Sequence, residues 1–312
     1  MTQLTISDPA ADAFALDYAS LAARVAGGGA RRVGLLGCRS AGARATVERL
    51  LELGVQSVEV FETVAAASDV AATSLSAGAY WSRFADETSA CAAAAVQWRA
   101  GLLDGLAKCE LSTATVLREV LREQRGSWFA HLGLVLQEHD GSAFVLADAG
   151  LNRSPSVEQL ALIVRRAATA ARRLGCARPL VGLVAHTEHV DQSVPGSALL
   201  DELRRGHGEA FARDGVELVG PIALDVALDP DVASAKGTGL RRRCDVVIVP
   251  EIVVGNVLFK AYMLREDCLV AGAVFDGERR AMAVPSRAAS VRERVASLAF
   301  ALAITQNEEK VH

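Results

Sequence analysis

The chain has 312 residues, of which 51% are apolar and only 5% aromatic, and its formal net charge is −4. This length is more than one small core needs, so we expect one large or two α/β domains. The aliphatic composition is typical of Ala-rich helices packed on a Val- and Leu-rich sheet. The small net charge gives no electrostatic basis for nucleic-acid binding.

Six cysteines are scattered along the chain without a C-x-x-C pair, at positions 38, 91, 109, 176, 244 and 268. This pattern predicts reduced, mostly buried thiols in a cytoplasmic protein, with no disulfide and no metal site. No run of about 18 apolar residues occurs, so a membrane-spanning helix and a membrane partner are not expected. The first twelve residues include Asp8 and Asp12 and have no basic segment, so no secretory leader is expected either.

Short apolar, β-branched runs alternate with longer amphipathic stretches along the chain. The predicted strands are 32–36, 55–60, 144–146, 180–184, 216–219, 244–249, 268–275 and 280–284. The predicted helices are 43–53, 157–174, 198–214 and 295–304, with a further helical region over the Ala-, Ser- and Thr-rich residues 65–93. Such alternation predicts a wound, largely parallel sheet.

One polar segment follows residue 105, where a strand or loop delivers Lys108. The hydroxyl side chains of Ser112, Thr113 and Thr115 then open a helix that carries Arg118. Unpaired amide groups and the helix dipole favour an anion at such an N-terminus. A capped surface helix without a ligand explains this segment equally well.

Three further polar segments follow predicted strands. Asp148 and Asn152 lie in a loop after a buried strand, Asp225 follows a second strand, and Asn256 and Lys260 follow a third. Because open α/β sheets bind ligands at the carboxyl ends of their strands, these side chains are candidates for substrate binding.

Three histidines can be explained structurally as well as functionally. His131 is either a catalytic group or a hydrogen-bonded structural histidine. His186 and His189 have no third ligand at a recognisable spacing, which argues against a metal site.

The stretch from Pro285 to Glu293 is the most informative part of the chain. A hydroxyl and a guanidinium, Ser286 and Arg287, stand side by side where a strand-like segment turns into the last apolar helix. A guanidinium beside a helix N-terminus matches phosphate or carboxylate oxygens. The alternative is that Ser286 caps the helix and Arg287 is a solvated side chain.

Four of these segments together resemble the phosphate acetyltransferase and phosphate butyryltransferase family. The family patterns are D-A-A-x-N-x-x-P, G-P-L-A-x-D-N-A, V-P-x-x-x-x-G-N-x-x-x-K and T-S-R-A-D-S. The corresponding segments here are 148–155, 220–227, 249–260 and 285–290. They occur in the same order and at similar separations, and the resemblance covers roughly residues 100–305.

The resemblance implies a fold of two three-layer α/β domains with mostly parallel sheets and an interdomain cleft, similar to isocitrate dehydrogenase. Residues 1–147 and 281–312 would form the first domain and residues 148–280 the second. It implies an acyltransferase that moves a short acyl group between coenzyme A and inorganic phosphate, with no tightly bound cofactor and as a homodimer. Acyl-CoA and phosphate would be its partners.

The resemblance also implies roles for single residues. Arg287 would bind phosphate and stabilise the oxyanion, Ser286 would donate a hydrogen bond, and Glu293 would stand where family acetyltransferases carry an aspartate that acts on the thiol. Thr113, Thr115 and Arg118 would form a second wall around phosphate. The remaining candidates for substrate binding are Lys108, Ser112, His131, Asp148, Asn152, Asp225, Asn256 and Lys260.

The sequence departs from the family at several positions. Cys109 stands where the family has a glycine after the lysine, Val226 replaces an asparagine, and Ala289 replaces an aspartate. Two alternatives therefore stay open. One is an enzyme on the same fold with another ligand, either a nucleotide-dependent dehydrogenase or a one-carbon or pterin enzyme; the other is a non-catalytic CoA-binding paralogue.

Overall fold

A computed structural model describes residues 14–27, 31–64, 76–121 and 128–305. The chain forms two compact units: unit 1 comprises Met1–Asp17 and Phe129–Leu269, and unit 2 comprises Tyr18–Trp128 and Val270–His312. The predicted division instead began the second domain at residue 148 and ended it at residue 280. The first boundary differs because residues 130–137 pair with residues 143–147 as an antiparallel hairpin and so belong with the segment that follows them.

Unit 2 is a mostly parallel sheet flanked by helices. Its elements in chain order are α1 (Tyr18–Ala26), β1 (Arg32–Leu36), α2 (Ala41–Glu52), β2 (Ser57–Thr63), β3 (Ala79–Phe84), α3 (Glu87–Arg99), β4 (Gly105–Lys108), α4 (Thr113–Leu121), β10 (Cys268–Phe275), β11 (Ala281–Ala283) and α10 (Val291–Ile304). The strands are ordered β3-β2-β1-β4-β11-β10. Only the pair β10–β11 is antiparallel among them.

Helix α10 supplies the core of unit 2. From Arg294 to Leu302 every side chain is buried, and the helix packs against α1, α2, β4 and β11. The hydroxyl of Ser297 accepts a hydrogen bond from Gly272 N of β10 at 3.1 Å, which fastens the helix to the sheet. A helix that is buried on all sides, as α10 is over these residues, is typical of the interior of a domain.

Unit 1 has the same layered architecture. Its elements are β5 (Ala130–Gln137), β6 (Ala143–Ala147), α5 (Val157–Leu174), β7 (Leu180–Val184), α6 (Pro195–Arg213), β8 (Glu217–Ile222), α7 (Leu224–Leu228), α8 (Pro230–Ala235), β9 (Val246–Ile248) and α9 (Ile252–Met263). The strand order is β5-β6-β9-β7-β8, antiparallel between β5 and β6 and parallel elsewhere. Polar loops after β6, β8 and β9 therefore follow strands of one sheet.

Helix α5 illustrates how local signals define an element. Ser156 accepts from Gln159 N while the Gln159 side chain accepts from Ser156 N, and this capping box begins the helix. Gly175 ends it in a left-handed conformation at φ 119°, which glycine adopts at little cost. Both ends agree with the sequence prediction.

The prediction of a helical region over 65–93 is wrong over Ala79–Phe84 and correct from Glu87 onward. Residues 65–75 lie outside the described residues, and the segment Ala79–Phe84 is strand β3, paired in parallel with β2. The aromatic side chains of Tyr80, Trp81 and Phe84 favour a strand over the helix that the neighbouring alanines suggested. Helix α3 begins only at Glu87, after an Asp86 cap.

A search of the helices in the described ranges finds none that is both long enough and apolar enough to cross a membrane.

Candidate functional site

The loop between β11 and α10, residues 285–290, has its main chain fixed by three hydrogen bonds to consecutive carbonyl groups. Lys108 Nζ donates to Pro285 O at 3.2 Å, Ala289 N donates to Ser286 O at 3.1 Å, and Arg294 Nη2 donates to Arg287 O at 3.1 Å. Two of the three carbonyl oxygens are thus held by side chains buried in unit 2, and the third is held by an amide of the loop itself.

The side chains of Ser286 and Arg287 are left open by the same loop. Ser286 is partly exposed and Arg287 is exposed. Within the part of the chain that the structure describes, neither side chain makes a hydrogen bond or ion pair. A guanidinium and a hydroxyl on a fixed main chain, both free to donate, can bind an oxyanion.

Helix α10 begins at Val291, so Ser286 does not cap it. The cap is Ser290, whose hydroxyl accepts from Glu293 N at 3.2 Å while the Glu293 carboxylate accepts from Ser290 N at 2.6 Å. Sequence alone put Ser286 at this terminus because it did not distinguish two serines four residues apart. Glu293 therefore has one hydrogen bond committed to the capping box, and its role toward a thiol stays a prediction.

The start of α4 is already next to a carboxylate. Ser112 N donates to Glu87 Oε2 at 3.1 Å, and the side chains of Ser112, Thr113 and Thr115 make no hydrogen bond to a described residue. Arg118 Nε lies 2.9 Å from Glu119 Oε1, with 60% of the Arg118 side chain exposed. Glu87 occupies part of the N-terminus at which the sequence predicted an anion, and the hydroxyls of this helix remain available.

Lys108 is at the carboxyl end of β4 and is only 1% exposed. Its Nζ donates to Cys109 O at 3.4 Å in addition to Pro285 O. This ammonium ties the strand that leads into α4 to the loop that carries Ser286 and Arg287. Two segments that the sequence singled out separately, 177 residues apart, are thereby brought together in unit 2.

Cys109, which stands in place of a family glycine, is buried beside Cys38 at the end of β1. Burial raises the pKa of the Cys38 thiol, and a hydrogen bond to Cys109 raises it further. The same hydrogen bond holds the pKa of Cys109 below its usual value. The cysteine side chain thus packs into the interior of unit 2 against a second thiol.

The Asp148 loop of unit 1 is closed upon its own carboxylate. Asp148 Oδ1 accepts from Gly150 N and Leu151 N at 2.8 and 2.7 Å, and Oδ2 accepts from His131 N and Asn152 Nδ2 at 3.0 and 2.6 Å. With four donors, this buried carboxylate is fully used in shaping the loop.

Helix α9 approaches the Asp148 loop at a glycine. A Cβ at Gly255 would lie 1.9 Å from Asp148 O, so no other residue fits there without movement of the backbone. One residue on, Asn256 Nδ2 donates to Ala149 O at 3.3 Å. The Gly-Asn pair of the motif is therefore explained by the packing of α9 onto this loop.

His131 lies next to the Asp148 loop on β5, with its ring 5.4 Å from that of Phe259. The residue is only partly exposed, and its enclosed Nε2 has no hydrogen-bond partner among the described residues. Burial lowers the pKa of His131, the charge of Asp148 opposes this, and Lys260 adds to it. The imidazole is thereby kept neutral at neutral pH.

Asp225 makes its ion pair away from this loop, with Lys236, which also pairs with Glu188. Lys236 Nζ lies 3.0 Å from Asp225 Oδ2 and 2.9 Å from Glu188 Oε1. Of the predicted site residues in unit 1, four meet around the Asp148 loop (His131, Asp148, Asn152 and Asn256), Lys260 lies at its margin and Asp225 belongs to a separate surface cluster.

The sequence analysis missed Arg294, which holds the carbonyl of Arg287. The available signal was a basic residue inside an otherwise apolar helix, where a buried charge needs a specific partner.

Among the described residues no group of three or more His, Cys, Asp or Glu side chains could hold a metal ion.

Comparison with known proteins gives the chain relatives along most of its length. Residues 82–302 match the family described as phosphate acetyl/butaryl transferase. The chain is 31% identical over 220 residues to a probable phosphate butyryltransferase of Bacillus subtilis, covering 67% of this chain and 71% of that protein. It is 28% identical over 218 residues to a phosphate butyryltransferase of Clostridium acetobutylicum, covering 67% and 70%.

A solved structure extends the likeness of the fold. The branched-chain phosphotransacylase of Enterococcus faecalis superposes with a TM-score of 0.74 at 22% identity, covering 88% of this chain and 98% of that one. This likeness supports the mixed α/β architecture, with its mostly parallel strands, that the sequence predicted.

Proposed function

The chain belongs to the phosphate acetyl/butyryl transferase family and is an enzyme that transfers an acyl group between coenzyme A and phosphate, and we propose that Ser286 and Arg287 carry this reaction. The observation on which the proposal depends is the loop that fixes their main chain and leaves their side chains open. Family membership favours acyl transfer over the dehydrogenase and the non-catalytic paralogue that the sequence left open.

Arg287 has the chemistry that phosphate requires. Its guanidinium presents a planar set of N–H donors that matches two phosphate oxygens at once, and it stays charged at every relevant pH. Since Arg287 has no carboxylate partner among the described residues, an incoming anion displaces no existing ion pair. Because Arg287 is exposed, its guanidinium is still hydrated before the ligand binds.

In the reaction, a phosphate oxygen attacks the carbonyl carbon of the acyl thioester. The C–O bond forms as the carbonyl becomes an oxyanion, then the C–S bond breaks, and the coenzyme leaves as a thiolate that takes up a proton. Arg287 and the Ser286 hydroxyl donate to the oxygens on which negative charge develops. Acyl phosphate and free coenzyme A are the products.

Thr113, Thr115 and Arg118 are the further phosphate ligands of the proposal. The three side chains are on the first turns of α4, and this helix follows directly from the strand whose Lys108 contacts the Ser286 loop. The Nη groups of Arg118 remain available because its ion pair with Glu119 uses Nε.

The proposed roles of Glu293 in proton transfer and of the other predicted residues in substrate binding rest on the family resemblance. Ser112 belongs to α4 and its side chain is open, as described above. His131, Asn152, Asn256 and Lys260 gather around the Asp148 loop, whereas Asp225 is engaged with Lys236. A homodimer in the cytoplasm completes the proposal.

Two observations support the cytoplasmic location and the homodimer, respectively. The six cysteines are free thiols, five of them buried, as is typical of a reducing compartment. Helix α9 carries exposed apolar side chains at Val253 and Val257, which a second copy would cover in a homodimer. Light scattering coupled to size-exclusion chromatography measures the oligomeric state, and a monomer at micromolar concentration would contradict the dimer.

The decisive test follows coenzyme A thiol release from acetyl-, propionyl- and butyryl-CoA. We expect release that depends on phosphate, and in arsenate a continuous loss of acyl-CoA, because an acyl arsenate hydrolyses. Absence of turnover with all three thioesters in both anions would contradict the proposed function.

Glu293→Gln separates the two roles of this side chain. Glutamine keeps the capping-box hydrogen bond to Ser290 N, so only the charge is lost and the thermal midpoint should be unchanged. If the carboxylate handles the thiol proton, kcat falls about 10²-fold or more. A variant with unchanged kcat would restrict Glu293 to the cap.

A further inference from the structure

Arg294 is a buried cation in a helix whose neighbouring positions are apolar. It is 5% exposed, and it is followed along α10 by Val295 and Ala296, both fully buried. A leucine or methionine would fill such a position without the cost of removing a charge from water. The guanidinium therefore needs an explanation in terms of what it binds.

The guanidinium of Arg294 hydrogen-bonds to the main chain of the Ser286 loop. Arg294 Nη2 donates to Arg287 O at 3.1 Å across seven residues. The charge of Arg294 also acts on Glu110 and Cys109, which are buried or half-buried at the end of β4. The guanidinium of Arg294 thus connects the end of β4 to the main-chain carbonyl of Arg287, whose own side chain is exposed.

Lys108 makes the equivalent contact two residues earlier, at Pro285 O. The carbonyl groups on either side of Ser286 O are therefore each held by a buried cation, while Ser286 O is held by Ala289 N. With its carbonyls fixed inward, the loop directs the side chains of Ser286 and Arg287 from a defined main chain. Positional errors of about 1 Å in such groups can cost about 10²-fold in rate.

We propose that Arg294 is a positioning residue, which holds the Arg287 carbonyl so that Ser286 and Arg287 are presented in one fixed arrangement to the reacting anion. This inference rests on the proposed function of Ser286 and Arg287, and it adds a residue that touches no substrate. Arg294 acts through the loop alone.

The test uses Arg294→Met, which keeps an unbranched apolar stem for packing and removes the donors of the side chain. We expect kcat for phosphate-dependent coenzyme A release to fall about 10- to 100-fold, with the KM for acyl-CoA within about twofold of the original. Arg294→Lys keeps one charged donor. The decrease in log kcat should therefore be at least one third smaller than in Arg294→Met. Recovery by lysine would not follow from a purely apolar packing role.

The matched control is Arg166→Met in α5 of unit 1. Arg166 is also a buried arginine that donates to a main-chain carbonyl, Leu162 O at 3.1 Å, and it lies outside the proposed site. Its replacement should lower the thermal midpoint without changing kcat. Equal losses of kcat in Arg166→Met and Arg294→Met would overturn the positioning role, as would an unchanged kcat in Arg294→Met.

Amide hydrogen exchange gives a readout that needs no turnover. Arg294→Met should speed exchange in residues 286–290, where Ala289 N is hydrogen-bonded, and Arg166→Met should not. If the unmodified enzyme released no coenzyme A, the proposed function would fail while exchange still decided whether Arg294 holds the loop. Unchanged exchange in this segment would overturn the inference in either case.

Discussion

The Asp148 loop of unit 1 and the Ser286 loop of unit 2 use polar groups in opposite ways. At Asp148 four donors converge on one buried side-chain carboxylate, so the functional group of the motif is consumed in the fold. At Ser286 and Arg287 the donors converge on main-chain carbonyls, so the side chains remain available.

The two loops separate motif residues whose side chains stabilise the fold from motif residues whose side chains remain available to a ligand. A carboxylate with all its hydrogen-bonding sites satisfied has little left to offer a substrate, whereas an exposed guanidinium on a fixed main chain has its full set of donors. We expect substitutions in the first loop to act on stability and substitutions in the second to act on rate.

Arg287→Ala is the largest expected effect. If Arg287 donates to the reacting oxyanion as proposed, its removal should lower kcat/KM about 10³-fold, equivalent to about 4 kcal/mol of barrier. The thermal midpoint should stay within about 2 °C, because the exposed side chain has no partner among the described residues. Steady-state kinetics and calorimetry measure the two quantities.

The matched control is Arg292→Ala, five residues on, which removes another exposed arginine that stacks on Tyr18. It should leave kcat/KM within about twofold. A similar loss in both variants would assign the effect to general charge rather than to Arg287.

Asp148→Asn is the corresponding change in unit 1. The new amide group would face two of the four donors, so the unfolding free energy should fall by about 3 kcal/mol. Urea unfolding followed by circular dichroism gives this quantity. Asp225→Asn, at an exposed motif carboxylate, should have a much smaller effect; equal losses would remove the distinction between consumed and surface carboxylates.

Gly255→Ala tests the approach of α9 to the same loop. A Cβ 1.9 Å from Asp148 O forces the helix or the loop to move, and overpacking of this kind costs about 1–3 kcal/mol. Gly206→Ala in α6, where a Cβ meets nothing within 4 Å, should instead be neutral or stabilising. A stable Gly255→Ala variant would show that this packing yields readily.

The smallest effect is the pH dependence contributed by His131. Burial keeps the native imidazole neutral, so its folded pKa lies below the unfolded value of about 6.5. Above pH 6.5 both states are neutral and His131 contributes nothing. As the pH falls below 6.5 only the unfolded state gains a proton, and the unfolding free energy should fall by at most about 1.4 kcal/mol per pH unit.

Urea unfolding between pH 7.5 and 5.5 measures this slope. His131→Gln should remove the contribution of this residue to the slope. Identical slopes in His131→Gln and the original chain would contradict the depressed pKa.

Much of the fold could be predicted because local signals and packing agreed. The alternation of short β-branched runs with amphipathic helices predicted the mostly parallel sheet, and the predicted helix 157–174 coincides with α5, which Ser156 and Gly175 cap. The prediction failed at β3, where alanines on both sides obscured three aromatic strand formers. It also missed β5, whose pairing with β6 moved the boundary between units to residue 129.

The candidate site was only partly predictable, for a physical reason. Motif spacing identified Ser286 and Arg287, but whether a polar side chain is free or consumed depends on partners far away in sequence. Lys108 and Pro285 are 177 residues apart. Likewise, nothing local distinguished Arg294 from a surface arginine, since its burial follows from the packing of α10.

Unit 2 is built from two segments between which the chain inserts about 140 residues of unit 1. At 5–20 residues per second, a ribosome needs roughly 7–28 s to make that insert, so strand β4 emerges long before its partner β11 and the helix α10 that packs against it. During this interval the nascent β4 edge and its apolar face have no native cover. Assembly of the Ser286 loop is thus a late event in biogenesis, and chaperone binding to the nascent chain should persist until α10 packs against β4.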